Sequence, residues 1–285
     1  MRLVRYLTEG RSRELSDREF ERIIGDYDKA LRAFVLDEVG IYRGVMKTSI
    51  RGNTGIVDPS KSTRKSAYTS NYYTLIMSET EKWSKYPARS KSIVASSGIN
   101  KASGYADTGK LFFVLPHNNA KIAVASGEDI WNSFKHVFGN IQYPLGGFND
   151  LLDILFRRVG IKNSPDNTLN ELKNSCEVLD KEISRLEEII GEKLSSKTSD
   201  KYGVLLNVMD YVILWSITFG KMYKGSTYDM LLRIFDPQKA GIKLVKSGQS
   251  IPNNREVWTD SKCLLIDFDE YENDELFMEY IKSFV

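Results

Sequence analysis

The chain has little of what redox, metal or triad chemistry needs. Cys176 and Cys263 are its only cysteines. They are far apart and form no CxxC pair, which argues against a disulfide framework or a zinc site. Each reads as a small buried apolar side chain. His117 and His136 are the only histidines, so a Ser-His-Asp set or a His-rich metal site is poorly supplied. Neither sign of charge dominates: 40 Lys and Arg stand against 38 Asp and Glu, for a formal net charge of +2. That balance lacks the basic excess of wholesale nucleic-acid binders and leaves only a local groove open. Long apolar runs are missing too. Arg2 and Arg5 precede no stretch suited to a signal peptide. The most apolar window, residues 212–219, is fenced by Asn207, Asp210 and Lys221 and is too short to span a bilayer. GxGxxG after a strand, GxxxxGK[ST], HExxH and GxSxG are all absent. The expectation is a cytoplasmic, soluble protein with no metal and no membrane partner.

What is present suits a folded chain. Its 285 residues are 41% apolar and 11% aromatic, enough for one large domain or two small ones. Ser16-Asp17-Arg18-Glu19 reads as a capping box. Phe20, Ile23, Ile24, Tyr27, Leu31, Phe34 and Val35 then recur at helical spacing, predicting one helix over 16–36. Residues 41–46 read as a short strand. Residues 50–65 are polar, with Pro59, and read as an exposed loop. A helix is expected over 66–81, its tyrosines serving the core. Strand-like runs follow at 92–97, 111–115 and 121–125, with polar turns at 100–109 and 117–119 between them. Further strands are expected at 241–246, 256–258 and 263–266.

The interval between the third and fourth of these runs is helical in pattern, over 129–138, 148–158, 168–194, 202–219 and 227–235. Leu169, Leu172, Cys176, Leu179, Ile183, Leu186 and Ile190 have near-heptad spacing, which suits a helix packed on a neighbouring helix of the same chain. The acidic run Asp267, Asp269, Glu270, Glu272, Asp274, Glu275 lacks the turn glycine and spacing of a calcium loop and reads as solvated surface. The fold class is α+β, with strand-rich parts at 1–126 and 239–285 around a helical subdomain at 127–238.

Three stretches carry possible chemistry. Tyr42-Arg43-Gly44 lies on the first strand. Ile93-Val94-Ala95-Ser96-Ser97-Gly98 ends another, with Ala102 and Tyr105 beyond. Asn254-Arg255-Glu256-Val257 begins a late one. Each alone has an ordinary reading: a surface or paired arginine, a strand-end turn, an exposed strand glutamate. Together and in this order they resemble the arginine–serine–glutamate class of mono-ADP-ribosyltransferases, of bacterial or phage type. That family has an aromatic or apolar residue before Arg-Gly, an apolar strand ending in Ser-Thr-Ser, and a strand-initial Glu, often with Glu or Gln two residues earlier. Here Ser97 stands for Thr, Gly98 for the last Ser, and Asn254 for the usual Glu or Gln.

The residue types suit cleavage of NAD. Breaking the nicotinamide–ribose bond develops an oxocarbenium-like centre that a carboxylate stabilises. A diphosphate calls for a cation of fixed geometry, which arginine supplies. The resemblance implies a split β-sheet core with flanking helices around the helical insert. It implies catalytic Glu256, Arg43 and Ser96, with Arg43 on the NAD phosphates and Ser96 orienting Glu256. Gly44, Ser96 and Tyr105 or Phe113 would complete the NAD site, with the ring of Tyr105 or Phe113 packing on nicotinamide. Asn254 would meet the acceptor, and as a short amide it leans away from arginine acceptors. NAD is then a co-substrate and the partner a macromolecular acceptor, protein or nucleic acid. A toxin, a phage host-takeover factor or a defence effector would fit. Two other classes stay open: an NAD glycohydrolase using water, and a non-enzymatic interaction protein presenting the helical insert.

Overall fold

The first predicted helix divides in two, and the break sits at Gly25-Asp26. The computed structural model describes residues 12–37, 39–45, 50–61, 63, 72–106, 109–134, 156–157, 168–190 and 225–285. After the edge strand β1 (Arg13–Glu14), α1 runs over Asp17–Ile23 and α2 over Asp28–Asp37, joined by a 3₁₀ turn at Ile24–Tyr27. The capping box forms as read, with Glu19 accepting from the Ser16 amide at 3.1 Å. Glycine and aspartate are poor helix formers, so the tighter turn costs little there.

The elements that follow are β2 (Tyr42–Val45), β3 (Thr54–Val57), α3 (Tyr72–Glu79), β4 (Ile93–Ser96), α4 (Ile99–Ala106), β5 (Lys110–Pro116) and β6 (Lys121–Val124). After these come α5 (Leu169–Ile190), α6 (Thr227–Ile234), β7 (Lys243–Lys246), β8 (Glu256–Thr259), β9 (Cys263–Asp267), α7 (Phe268–Asn273) and α8 (Glu275–Lys282). The strands form one nine-stranded sheet in the order β1-β3-β9-β5-β2-β4-β8-β6-β7, with every pairing antiparallel.

Three sequence expectations change. The loop expected at 50–65 contains β3, whose Thr54 to Val57 pair with Ile266 to Cys263; its threonine, glycine and neighbouring polar residues hide the strand pattern. The turn expected at 100–109 is helix α4 for most of its length. Serine and glycine there mimic a loop, but Ala102 and Ala106, four apart, are buried and pack the helix down. The acidic run is not uniformly solvated. Asp267 is 2% exposed, 2.5 Å from Lys110 Nζ, and accepts from the Asp269 and Glu270 amides as the N-cap of α7. Asp274 caps α8 in the same manner.

The sheet has two buried faces. On one, Phe20, Ile24, Leu31, Tyr271 and Ile281 from the helical segments cover Phe113, Leu115, Leu264 and Ile266. On the other, strand residues from β3, β4, β5, β6, β8 and β9, among them Val57, Ala95, Phe112, Val114, Val124, Val257 and Leu265, form a cluster to which no described helix contributes.

The chain divides into two compact units, one of residues 1–67, 77–133 and 237–285, the other of 68–76 and 134–236. The sequence reading set the helical subdomain at 127–238 and left 68–76 with the strand-rich part. In the second unit, Leu172, Cys176, Leu179 and Ile183 of α5 are buried at the expected spacing. Asp180 of α5 accepts from the Thr227 amide at 3.0 Å and so caps α6. Tyr72 and Tyr73, also in this unit, are buried, as a core role predicts. The predicted helix over 202–219 and most of that over 148–158 lie outside the described residues.

Candidate functional site

The strands bearing the three sequence motifs are neighbours, in the order β2-β4-β8. Tyr42 pairs with Ser96, and Ser96 pairs with Glu256. Directly opposed residues share a face and alternate residues change face. Tyr42, Gly44, Ser96, Glu256 and Trp258 therefore lie on one face of the sheet. Arg43 falls on the other, with Ile41, Val45 and Ala95.

The Ser96-Ser97-Gly98 turn holds the approach to Glu256. Ser96 Oγ accepts from the Gly98 amide at 3.0 Å. Ser97 Oγ donates to the Pro252 carbonyl at 2.7 Å and accepts from the Arg255 amide at 2.9 Å, tying down the loop before β8. Asn254 sits in that loop at φ 55, a left-handed backbone that asparagine tolerates better than most residues. A Cβ at Gly98 would lie 2.1 Å from Asn254 Oδ1, so the two turns pack directly on each other.

Glu256 is nearly buried. Its Oε1 lies 2.6 Å from Arg89 Nη2, with the two side chains 13% and 7% exposed. Its Oε2 accepts from the Ile130 amide at 3.3 Å. The Arg89 guanidinium also lies over the Trp258 ring, 5.1 Å from its centroid. Arg89 reaches this position because Trp258 Nε1 donates to the Pro87 carbonyl at 3.1 Å and the Ala88 amide donates to Asp260 at 3.2 Å. Those bonds pin the segment before β4 against β8. Among the described residues the buried Arg89 Nη1 has no hydrogen-bond partner.

Asp129 completes the cluster. Its carboxylate accepts from the Trp131 amide at 3.0 Å, at the start of the same Ile130–Phe134 turn whose first amide donates to Glu256. Burial raises the Asp129 pKa above the ordinary aspartate range, and the negative charge of Glu256 adds to the rise. The Trp131 hydrogen bond and the charges of Arg89 and Lys101 oppose it. Two carboxylates in unequal surroundings beside one arginine can divide proton-bearing and charge-stabilising roles.

The remaining predicted site residues are distributed unevenly. Gly44 is covered by α4: a Cβ there would lie 2.1 Å from the Ala102 carbonyl oxygen. Tyr105 on α4 is 47% exposed, with the Lys101 ammonium 5.8 Å from its ring centroid. Phe113 is 2% exposed and packs among Phe34, Tyr42, Phe268 and Tyr271, leaving no ring face for nicotinamide. Asn254 is exposed in the loop before Glu256. Sequence reasoning missed Arg89 and Asp129, which lie in irregular segments with no periodic signal. It also missed the clamping role of Ser97, for which the adjacent serine pair was the available cue.

No family model, curated protein or solved structure matches the chain. Among the described residues no group of three or more His, Cys, Asp or Glu could hold a metal ion, and no helix is long and apolar enough to cross a membrane.

Proposed function

We propose that the chain is a mono-ADP-ribosyltransferase, moving ADP-ribose from NAD to a macromolecular acceptor, protein or nucleic acid, with release of nicotinamide. The observation that carries the reading is the adjacency of β2, β4 and β8, with Ser96 in register between Tyr42 and Glu256. Residues spread over more than two hundred positions of chain thereby lie on three adjacent interior strands of the sheet. In the reaction the bond between ribose C1′ and the nicotinamide nitrogen breaks, and its electron pair leaves with nicotinamide. Glu256 stabilises the positive charge left on the ribose. The acceptor's nucleophile then bonds to C1′ and loses its proton. On this reading the exposed Tyr105 packs on the nicotinamide ring, and the exposed Asn254 meets the acceptor.

The test is incubation of the pure protein with labelled NAD and a cell lysate, followed by separate protease and nuclease digestion. Label released by protease identifies a protein acceptor, and label released by nuclease identifies RNA or DNA. Free nicotinamide with no transferred label makes water the acceptor and replaces the transferase reading with a glycohydrolase. No turnover of NAD in any arm overturns the proposal.

A further inference from the structure

Ser96 is the residue to which the resemblance gives the task of orienting Glu256, yet among the described residues no hydrogen bond joins the two side chains. The Ser96 hydroxyl is instead engaged by the Gly98 amide at 3.0 Å. The group in contact with the carboxylate is Arg89, 2.6 Å from Oε1. We propose that Arg89 is the positioning residue for Glu256, an inference that rests on the ADP-ribosyl-transfer reading of the same site.

Four observations carry it. The carboxylate is contacted at both oxygens, by the guanidinium as an ion pair at Oε1 and by the Ile130 amide at Oε2. The guanidinium is itself held over the Trp258 ring, with Cζ 5.1 Å from its centroid, a cation–π contact made more often by arginine than by lysine. Trp258 belongs to β8, two residues from Glu256, so one strand carries both the carboxylate and the surface that aims its partner. Finally, the arrangement is poor as a purely structural device. A buried ion pair seldom stabilises a fold more than apolar residues would, and among the described residues the buried Nη1 has no hydrogen-bond partner, which adds a cost. Preorganised charge is the benefit that offsets such a cost in an active site.

A lysine at this position would keep the positive charge and lose the planar guanidinium that meets both Glu256 and the Trp258 ring. The experiment compares wild type with Arg89→Lys in steady-state NAD turnover, after thermal melting has established that the variant is folded. The expected result is a KM within about threefold of wild type and a kcat lower by about 30-fold or more, the scale on which misplacing a catalytic group acts. Added guanidinium ion is expected to restore part of the turnover of Arg89→Gly, and not that of Glu256→Gln. Folded Arg89→Lys with wild-type kcat overturns the inference, as does a loss confined to KM, which would make Arg89 a substrate-binding group. Failure of Arg89→Lys to fold also overturns it, because the role would then be structural. Absence of turnover in the wild type overturns the transferase reading itself, and the assignment to Arg89 with it; turnover in the wild type with an insensitive Arg89 removes only the latter.

Discussion

Ser96 and Glu256 stand directly opposite each other across β4 and β8, but each side chain is committed elsewhere, Ser96 to the turn that starts α4 and Glu256 to Arg89. Ser96→Ala should therefore act mainly on the turn. The lost bond to a buried amide is worth about 1 kcal/mol of stability, measurable by urea denaturation. Turnover of NAD should fall less in this variant than in Arg89→Lys.

Glu256→Gln should affect stability as well as activity. Removing charge stabilisation at an oxocarbenium-like centre lowers kcat by about 10²–10³ or more. The same change leaves Arg89 buried without its counter-ion, a situation that costs about 3–5 kcal/mol. The double variant Arg89→Gln/Glu256→Gln should lose less stability than the sum of the two single changes, since it removes both charges. A double-mutant cycle by chemical denaturation measures this coupling, and additive losses would contradict a buried pair.

Gly44 permits the closest approach between α4 and the sheet. In Gly44→Ala the new methyl would meet the Ala102 carbonyl oxygen and the Ala106 amide nitrogen, 2.1 and 2.5 Å away. Backbone cannot rotate aside as a flexible side chain can, so the helix must shift. A stability loss of at least about 2 kcal/mol is expected. Turnover should fall with it, since α4 grows directly from the Ser96–Gly98 turn. Unchanged melting in this variant would contradict the packing of α4 on β2.

Asp129 gives a pH signature. Its folded-state pKa lies above the ordinary aspartate value of 3.8, chiefly through burial and then through Glu256. Between the unfolded and folded values the native state holds more protons than the unfolded state, so this group's contribution to stability falls as pH rises through that window. Asp129→Asn keeps an acceptor for the Trp131 amide and cannot ionise. The variant should be more stable than wild type at neutral pH, and the advantage should shrink as pH falls toward 4. Denaturation midpoints across that range check the sign.

Local pattern was a good guide where an apolar stripe or run is buried. Leu172, Cys176, Leu179 and Ile183 of α5, the capping box of α1 and the continuous apolar runs of β4, β5 and β9 all lie where the local pattern put them. The pattern failed where packing overrode composition. Thr54-Gly55 is a strand because β9 pairs with it, and residues 99–106 are helical because two alanines bury against the sheet. Asp267 reads as one more surface carboxylate until the fold sets it between Lys110 and the first amides of α7.

The sequence by itself determined that Ser96 closes a strand and that Glu256 opens another, because those positions follow from the short apolar runs Ile93-Val94-Ala95 and Val257-Trp258 and the polar turns beside them. Only the tertiary structure decided what surrounds Glu256. Register put Arg43 on the opposite face from Ser96, since a shift of one residue along a strand reverses the side of the sheet. Chain closure brought Arg89 and Asp129, each more than one hundred residues away, to the carboxylate. Such encounters are set by long-range strand pairing and by the loops it carries along, for which no local period exists in the chain.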